Sequence, residues 1–84
     1  MKHDEKTFKI FENIIQQFKT IRLAKGMTHT ALAKKIGMTR PAISHIENDK
    51  RKPSLLAAVR IADGLGKNLS EIVRAAERAH KKKK

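Results

Sequence analysis

The sequence predicts an all-α protein of five helices, and three observations support this fold class. Apolar residues recur at steps of three or four, which is the spacing of one helix face and not that of a strand. Ser, Thr or Asn, the residue types that cap helix N-termini, precede four of the apolar segments. Glycine follows three of the segments, where a helix would end. At 84 residues the chain is predicted to form one domain.

The first predicted helix covers about residues 6–25 and ends at Gly26. Its apolar face consists of Phe8, Phe11, Ile15, Phe18 and Ile21. Thr28 then offers a capping hydroxyl for a short second helix, which Gly37 ends in a left-handed conformation. The inward residues of the second helix are expected to be Leu32, Ala33 and Ile36.

Thr39 caps the third predicted helix, whose inward positions are Ile43 and Ile46. Pro41 is compatible with its first turn, where no amide donor is needed. The helix is expected to end at Asn48 and Asp49.

Pro53 and Ser54 open the fourth predicted helix, which ends near residues 64–66 and has its inward stripe at Leu55, Ala58, Ala62 and Leu65. Asn68 and Glu71 form a capping box for a fifth helix ending near His80. Residues 1–80 would form the domain, and residues 81–84, all lysine, a disordered basic tail.

Composition narrows the possible functions. Twenty Lys and Arg against eight Asp and Glu give a net charge of +12, which favours a polyanionic partner, either nucleic acid or an anionic membrane surface. The longest apolar run has five residues, so no membrane span is expected. The chain has no cysteine, Ser44 has no catalytic partner at a recognisable spacing, and no helix carries histidines at a metal-binding step. We therefore expect no catalysis, no metal and no cofactor.

The second and third helices are separated by about three residues, too few for antiparallel packing, so the pair is predicted to be a helix-turn-helix over about residues 28–47. Small Ala33 allows close approach, Gly37 forms the turn, and Ile43 and Ile46 anchor the third helix. The opposite face and the exposed start of that helix would meet DNA base edges with Thr39, Arg40, Pro41, Ser44 and His45.

Phosphate contacts are expected at two helix starts, where unpaired amides and the helix dipole favour an anion. The residues concerned are Thr28, His29 and Thr30, and the basic loop formed by Lys50, Arg51 and Lys52. A solubilising basic turn is the alternative interpretation of that loop.

Three segments together resemble the lambda-repressor, Cro and xenobiotic-response-element family of bacterial and phage regulators: THTALAKKIG from Thr28, ISHIEN from Ile43 and KPSL from Lys52. The similarity covers about residues 18–73 and implies a five-helix lambda-repressor-like domain whose third helix enters the major groove. It further implies dimers on two-fold symmetric operators. Arg40, Pro41 and His45 align with base-contacting positions of the family. The chain departs from the family pattern at His29, often Gln, and at Asp49, often Gly.

The fourth helix is apolar on more than one side, so we expect a homodimer interface that includes Phe8, Phe11, Leu56 and Val59. Alternatively, the first and fifth helices cover these residues within one chain. The predicted function is a sequence-specific transcriptional regulator of a bacterium or phage, acting in the cytoplasm as a dimeric repressor that occludes a promoter or as a restriction-modification controller-like protein. Contact with RNA polymerase, and the antitoxin of a toxin-antitoxin pair that also binds a toxin protein, are the alternatives.

Overall fold

Five α-helices joined by short loops make up the protein. The computed structural model describes residues 2–82, with helices α1 (Lys2–Ala24), α2 (His29–Ile36), α3 (Arg40–Glu47), α4 (Leu55–Gly64) and α5 (Leu69–Lys82). No strand occurs in this part of the chain, so the all-α prediction is confirmed. Within residues 2–82, no helix has both the length and the apolar character needed to cross a membrane.

The predicted helix caps are present in the structure. Three hydroxyls each accept a hydrogen bond from the backbone amide three residues later, at 3.0 to 3.2 Å, and they belong to Thr28, Thr39 and Ser54. At the start of α5, the Glu71 carboxylate accepts a hydrogen bond from the Asn68 amide at 2.9 Å, as in a capping box. Because each capping hydroxyl contributes about 1 kcal/mol, these residues define where α2, α3 and α4 begin.

One apolar core receives side chains from all five helices. Its largest fully buried side chains are Phe18, Leu32, Ile43, Ile46 and Leu65. Helix α1 packs along α5, and α2 packs against both α3 and α4. Burial of each large apolar side chain contributes about 1.5 to 3 kcal/mol, so the core holds the α2–α3 pair in place against the other helices.

Helix α4 approaches α2 through a glycine. Gly64 is buried, and a Cβ atom at this position would overlap Ile36 and lie 2.9 Å from Leu32 Cδ1. A larger residue would therefore push the two helices apart. The close approach gives Gly64 a packing role, which adds to its predicted place near the end of the helix.

Three details differ from the sequence-based expectations. Helix α1 begins at Lys2, before the predicted start near residue 6. Leu55, expected to point inward, is 75% exposed, whereas Ile61, which is not part of the predicted inward stripe of the same helix, is 2% exposed. The reason is that Leu55 is the first residue of α4 and lies at the edge of the core. Ile61 lies one helical turn before the fully buried Leu65 and is therefore inside the core. Helix α5 also continues to Lys82, two residues into the predicted basic tail; residues 83–84 lie outside the described residues.

Candidate nucleic-acid interface

A three-residue turn, residues 37–39, connects α2 to α3. Gly37 has a φ angle of +71°, in the left-handed region where a side chain is unfavourable. The Met38 amide donates a hydrogen bond to the Ala33 carbonyl at 2.9 Å, which closes the end of α2. Thr39, two residues after Gly37, is the N-cap of α3. A turn this short holds the two helices at a steep angle, so α3 can project from the body of the protein.

Helix α3 has one buried face and one exposed face. Ile43 and Ile46 are 1% and 2% exposed, which confirms both as the anchors of the helix. Arg40, Pro41 and His45 are exposed on the other side. A cation with several donors, an apolar ring and an imidazole are thus presented together to the solvent.

The remaining two residues predicted to contact bases are partly engaged within the protein. The Thr39 hydroxyl oxygen accepts the capping hydrogen bond, although its hydrogen remains able to donate. Ser44 is half-buried, and its hydroxyl accepts a hydrogen bond from Asn48 Nδ2 at 3.4 Å. Arg40, Pro41 and His45 are therefore more accessible to a partner than Ser44.

A buried ion pair ties the C-terminal end of α3 to α1. The Arg22 guanidinium donates Nε–H to Glu47 Oε2 at 2.7 Å and Nη2–H to Glu47 Oε1 at 2.9 Å. Its third contact is Nη1 to the Met27 carbonyl at 2.7 Å. The His29 ring completes the cluster, with Nε2 at 3.0 Å from Glu47 Oε1. The start of α2 and the end of α3 are thereby joined through one carboxylate.

Two opposing effects act on the Glu47 carboxyl group. Burial raises its pKa, but hydrogen bonds from Arg22 and His29 and the positive charge of Arg22 outweigh burial and lower the pKa below its ordinary value. Glu47 is therefore ionised at neutral pH and can only accept hydrogen bonds. The nitrogen of His29 that faces it must then carry a proton.

The basic loop is attached to the last turn of α3. The Lys50 and Arg51 amides donate hydrogen bonds to the His45 carbonyl at 2.8 and 3.2 Å. The side chains of Lys50, Arg51 and Lys52 are exposed. Lys52 Nζ lies 5.3 Å from the centre of the Phe8 ring, a cation–π contact with α1. Three exposed positive charges thus lie in the loop that directly follows α3.

Asp49 forms the bend between α3 and the basic loop. Its φ angle is +61°, and it is the non-glycine residue with positive φ among residues 2–82. Asp tolerates this left-handed region better than most side chains, because its short polar group can bond locally. The departure from glycine at this position therefore leaves the turn intact.

The other predicted phosphate-contacting residues lie at the N-terminus of α2. Thr28 and Thr30 are exposed, and no acceptor among the described residues is bonded to the amides of His29 and Thr30. The His29 side chain is 24% exposed and turned toward Glu47. The α2 start and the basic loop both contact the last turn of α3, through the Glu47 carboxylate and the His45 carbonyl respectively.

The residues predicted to form a dimer interface lie on α1 and α4. Phe8, Leu56 and Val59 are 51%, 61% and 47% exposed, and Phe11 is half-buried. Beside them, Phe11 and Leu55 line a groove of about 290 Å³ that extends between α1, α4 and α5. Neither α1 nor α5 covers Phe8, Leu56 and Val59 completely.

The tight turn, the anchored and outward-facing α3 and the flanking positive charges define a helix-turn-helix protein of the DNA-binding type. A helix-turn-helix family model matches residues 18–72, which is more than half of the chain. The chain belongs to this family, the lambda-repressor-like and xenobiotic-response-element type of transcription regulators. No curated protein and no solved structure matched the chain.

Sequence reasoning missed the cluster of Arg22, Glu47 and His29 as a unit. Arg22 lies in a helix with many other cations, and 25 residues separate it from Glu47, so no local pattern marks the pair. One signal was available: Arg22 follows the apolar Ile21 and lies four residues after Phe18, on the inward face of α1. An arginine at that position needs a buried acceptor.

Proposed function

We propose that the protein is a sequence-specific regulator that binds double-stranded DNA as a homodimer and represses transcription by occluding a promoter. The observation that carries the proposal is the combination of an outward-facing α3, bearing Arg40, Pro41 and His45, with a basic loop hydrogen-bonded to the same helix. Arg40 would read guanine, since its guanidinium matches the O6 and N7 acceptors. Thr39 and Ser44 would contribute further contacts at the same base edges.

Two groups of donors, at the start of α2 and in the basic loop, would bind phosphates of the DNA backbone and so position the protein on the duplex. The free amides at the start of α2, with the Thr28 and Thr30 hydroxyls, would bind one phosphate group. The exposed cations of Lys50, Arg51 and Lys52 would bind its neighbours on the backbone. These phosphate contacts would not depend on the base sequence, and they would orient α3 in the major groove.

The proposed dimer interface uses apolar residues of α1 and α4 that the fold leaves at least partly exposed. Phe8, Phe11, Leu56 and Val59 would pack against the same residues of a second copy, because a two-fold interface is self-complementary. Such a dimer would present its two α3 helices about 34 Å apart, one turn of DNA, and would match an operator with two-fold symmetry.

Binding-site selection from a random DNA pool tests the proposal. The wild-type protein should enrich one motif with two-fold symmetry, and Arg40→Ala should lose preference for guanine at one position per half-site at a cost of about 1 to 3 kcal/mol. Recovery of no motif would contradict sequence-specific binding. Equal weakening of Arg40→Ala on every sequence would instead assign Arg40 to a phosphate.

A second candidate, the antitoxin of a toxin-antitoxin pair, is favoured by the exposed apolar face of α4. Leu55, Leu56 and Val59 are all exposed there, a group of large apolar side chains that suits a protein partner. A toxin protein could cover that face while α3 remains on DNA. Co-purification of a second small protein, which is lost on substitution of Leu56, would support this candidate.

We also propose that the protein acts in the cytoplasm of a bacterial or phage-infected cell. If it activates transcription, it would do so by contact with RNA polymerase.

A further inference from the structure

The His29 side chain is held by Glu47 in a way that decides what its other nitrogen can do. Glu47 is ionised and accepts hydrogen bonds from Arg22 at both carboxylate oxygens, so it can offer His29 only acceptor capacity. The ring nitrogen at 3.0 Å from Oε1, Nε2, is therefore the protonated one. In a neutral imidazole, Nδ1 then carries a bare lone pair.

No hydrogen bond from the described residues reaches Nδ1, and the side chain is 24% exposed at the start of α2. In this state the ring would present a lone pair to any anion at that helix start, which is repulsive. After it gains a proton, the same nitrogen becomes a charged donor, and the ring can bond Glu47 and an anion at once.

We infer that His29 couples DNA binding to the uptake of one proton per subunit, with the protonated ring bridging Glu47 and a DNA phosphate. The inference rests on the proposed function, because that function brings the phosphate to the start of α2. A protein with neutral His29 would still bind DNA through its other contacts, but more weakly.

The charged groups around His29 favour this change. Glu47 faces the ring from α3, and Arg22 faces the same carboxylate from α1. Helix α2 has no acidic residue in its first turn, so the phosphate would be the second anion next to the ring. Arg22 already balances the charge of Glu47, and an incoming phosphate supplies the negative charge that stabilises the added proton.

The expected sign follows from linkage. Because the DNA-bound state holds one more proton per subunit than the free state, affinity for DNA should fall as pH rises. Each proton taken up changes affinity by at most about tenfold per pH unit, hence at most about a hundredfold for a dimer with two such contacts. The effect should be equal on operator and random DNA, because a phosphate contact does not depend on sequence.

The test is a titration of DNA affinity against pH at constant ionic strength, with the full-length protein on its selected operator and on a random duplex. The matched variant is His29→Gln, whose amide can donate to Glu47 and to a phosphate without taking up a proton. Wild type should lose affinity as pH rises on both duplexes, and His29→Gln should show a flatter curve that crosses above wild type at alkaline pH. His80→Gln, changed far from α3 in the half-buried region between α1 and α5, is the control and should behave as wild type.

A wild-type protein that binds the operator tightly with no pH dependence overturns the inference and leaves the proposed function standing. The inference is also overturned if affinity depends on pH for the operator alone, and if this pH dependence is lost in His45→Gln but retained in His29→Gln. Absence of DNA binding at every pH refutes both. If His29→Gln fails to fold, the ¹⁵N signals of the wild-type His29 ring decide: protonated Nδ1 in the complex at about pH 7.5, against bare Nδ1 in the free protein, supports the inference. A bare Nδ1 in the complex overturns it.

Discussion

Arg22 and Glu47 lie 25 residues apart in the chain, yet they form two parallel hydrogen bonds with side chains that are only 8% and 4% exposed. The pair joins the last turn of α1 to the last residue of α3, while His29 brings the start of α2 to the same carboxylate. One buried polar cluster therefore connects helices α1, α2 and α3.

Breaking the buried pair from one side should be strongly destabilising. Glu47→Gln leaves the Arg22 charge buried without a counter-charge, so the free energy of unfolding should drop by about 3 to 5 kcal/mol, as measured by urea denaturation. The control is the double variant Arg22→Met with Glu47→Leu, which removes both charges and should recover much of this loss. A double variant no more stable than Glu47→Gln, or a Glu47→Gln variant as stable as wild type, would contradict a stabilising role for the pair.

The lowered pKa of Glu47 predicts a dependence of stability on pH. Because the pKa is lower in the folded protein than in the unfolded chain, ionised Glu47 contributes stability that is complete above the ordinary glutamate value of 4.5 and is lost as pH falls through the folded value. The stability difference between wild type and Glu47→Gln should therefore narrow as pH is lowered from about 7 toward about 3. Thermal unfolding over this range measures it, with exposed Glu12→Gln as the control for net charge. A constant or widening difference would show that the sign is wrong.

The two left-handed residues that flank α3 should respond oppositely to substitution. Asp49→Gly relieves a left-handed conformation at φ +61° and should raise the free energy of unfolding by about 0.5 to 1 kcal/mol. Gly37→Ala introduces a side chain at φ +71°, where space is open, and should lower it by about 1 kcal/mol. Urea denaturation of both variants provides the comparison. Destabilisation by Asp49→Gly would mean that the Asp49 carboxylate makes a contact worth more than the strain.

Salt dependence should distinguish a phosphate-binding loop from a solubilising turn. With about four phosphate contacts per subunit, a plot of the logarithm of dimer affinity against the logarithm of salt concentration should have a slope of about −7. Arg51→Ala removes two symmetric contacts and should reduce that slope by about two units while it weakens operator and random DNA alike. Arg78→Ala, which removes an exposed charge on α5, is the matched control and should leave the slope unchanged. An unchanged slope in Arg51→Ala would favour the solubilising turn.

The exposed apolar side chains of α1 and α4 predict self-association. Leu56→Lys places a charge among them and should weaken the dimer by at least about tenfold in sedimentation experiments. Leu23→Lys is the matched control, since Leu23 is 57% exposed, close to the 61% of Leu56, but lies at the end of α1 near Gly26. A wild-type protein that stays monomeric at high concentration, with and without operator DNA, would rule out this interface.

The sequence by itself determined the five helices, their caps and the turn. Thr28, Thr39 and Ser54 act on amides three residues away, and Gly37 acts on its own backbone angle, so these features depend on short-range interactions. The inward positions of α3 followed from helical spacing for the same reason. The solvent-facing residues of α3 were then the complement of the buried ones.

Only the tertiary structure decided which distant side chains meet and which helix ends reach the core. Arg22, Glu47 and His29 come together because three helices converge, and no local pattern encodes that convergence. Leu55 matches an inward stripe by spacing, but the first turn of α4 extends past the edge of the core and leaves it exposed. Periodicity specifies the face of a helix, whereas the position of that helix along its neighbours depends on packing summed over the whole chain.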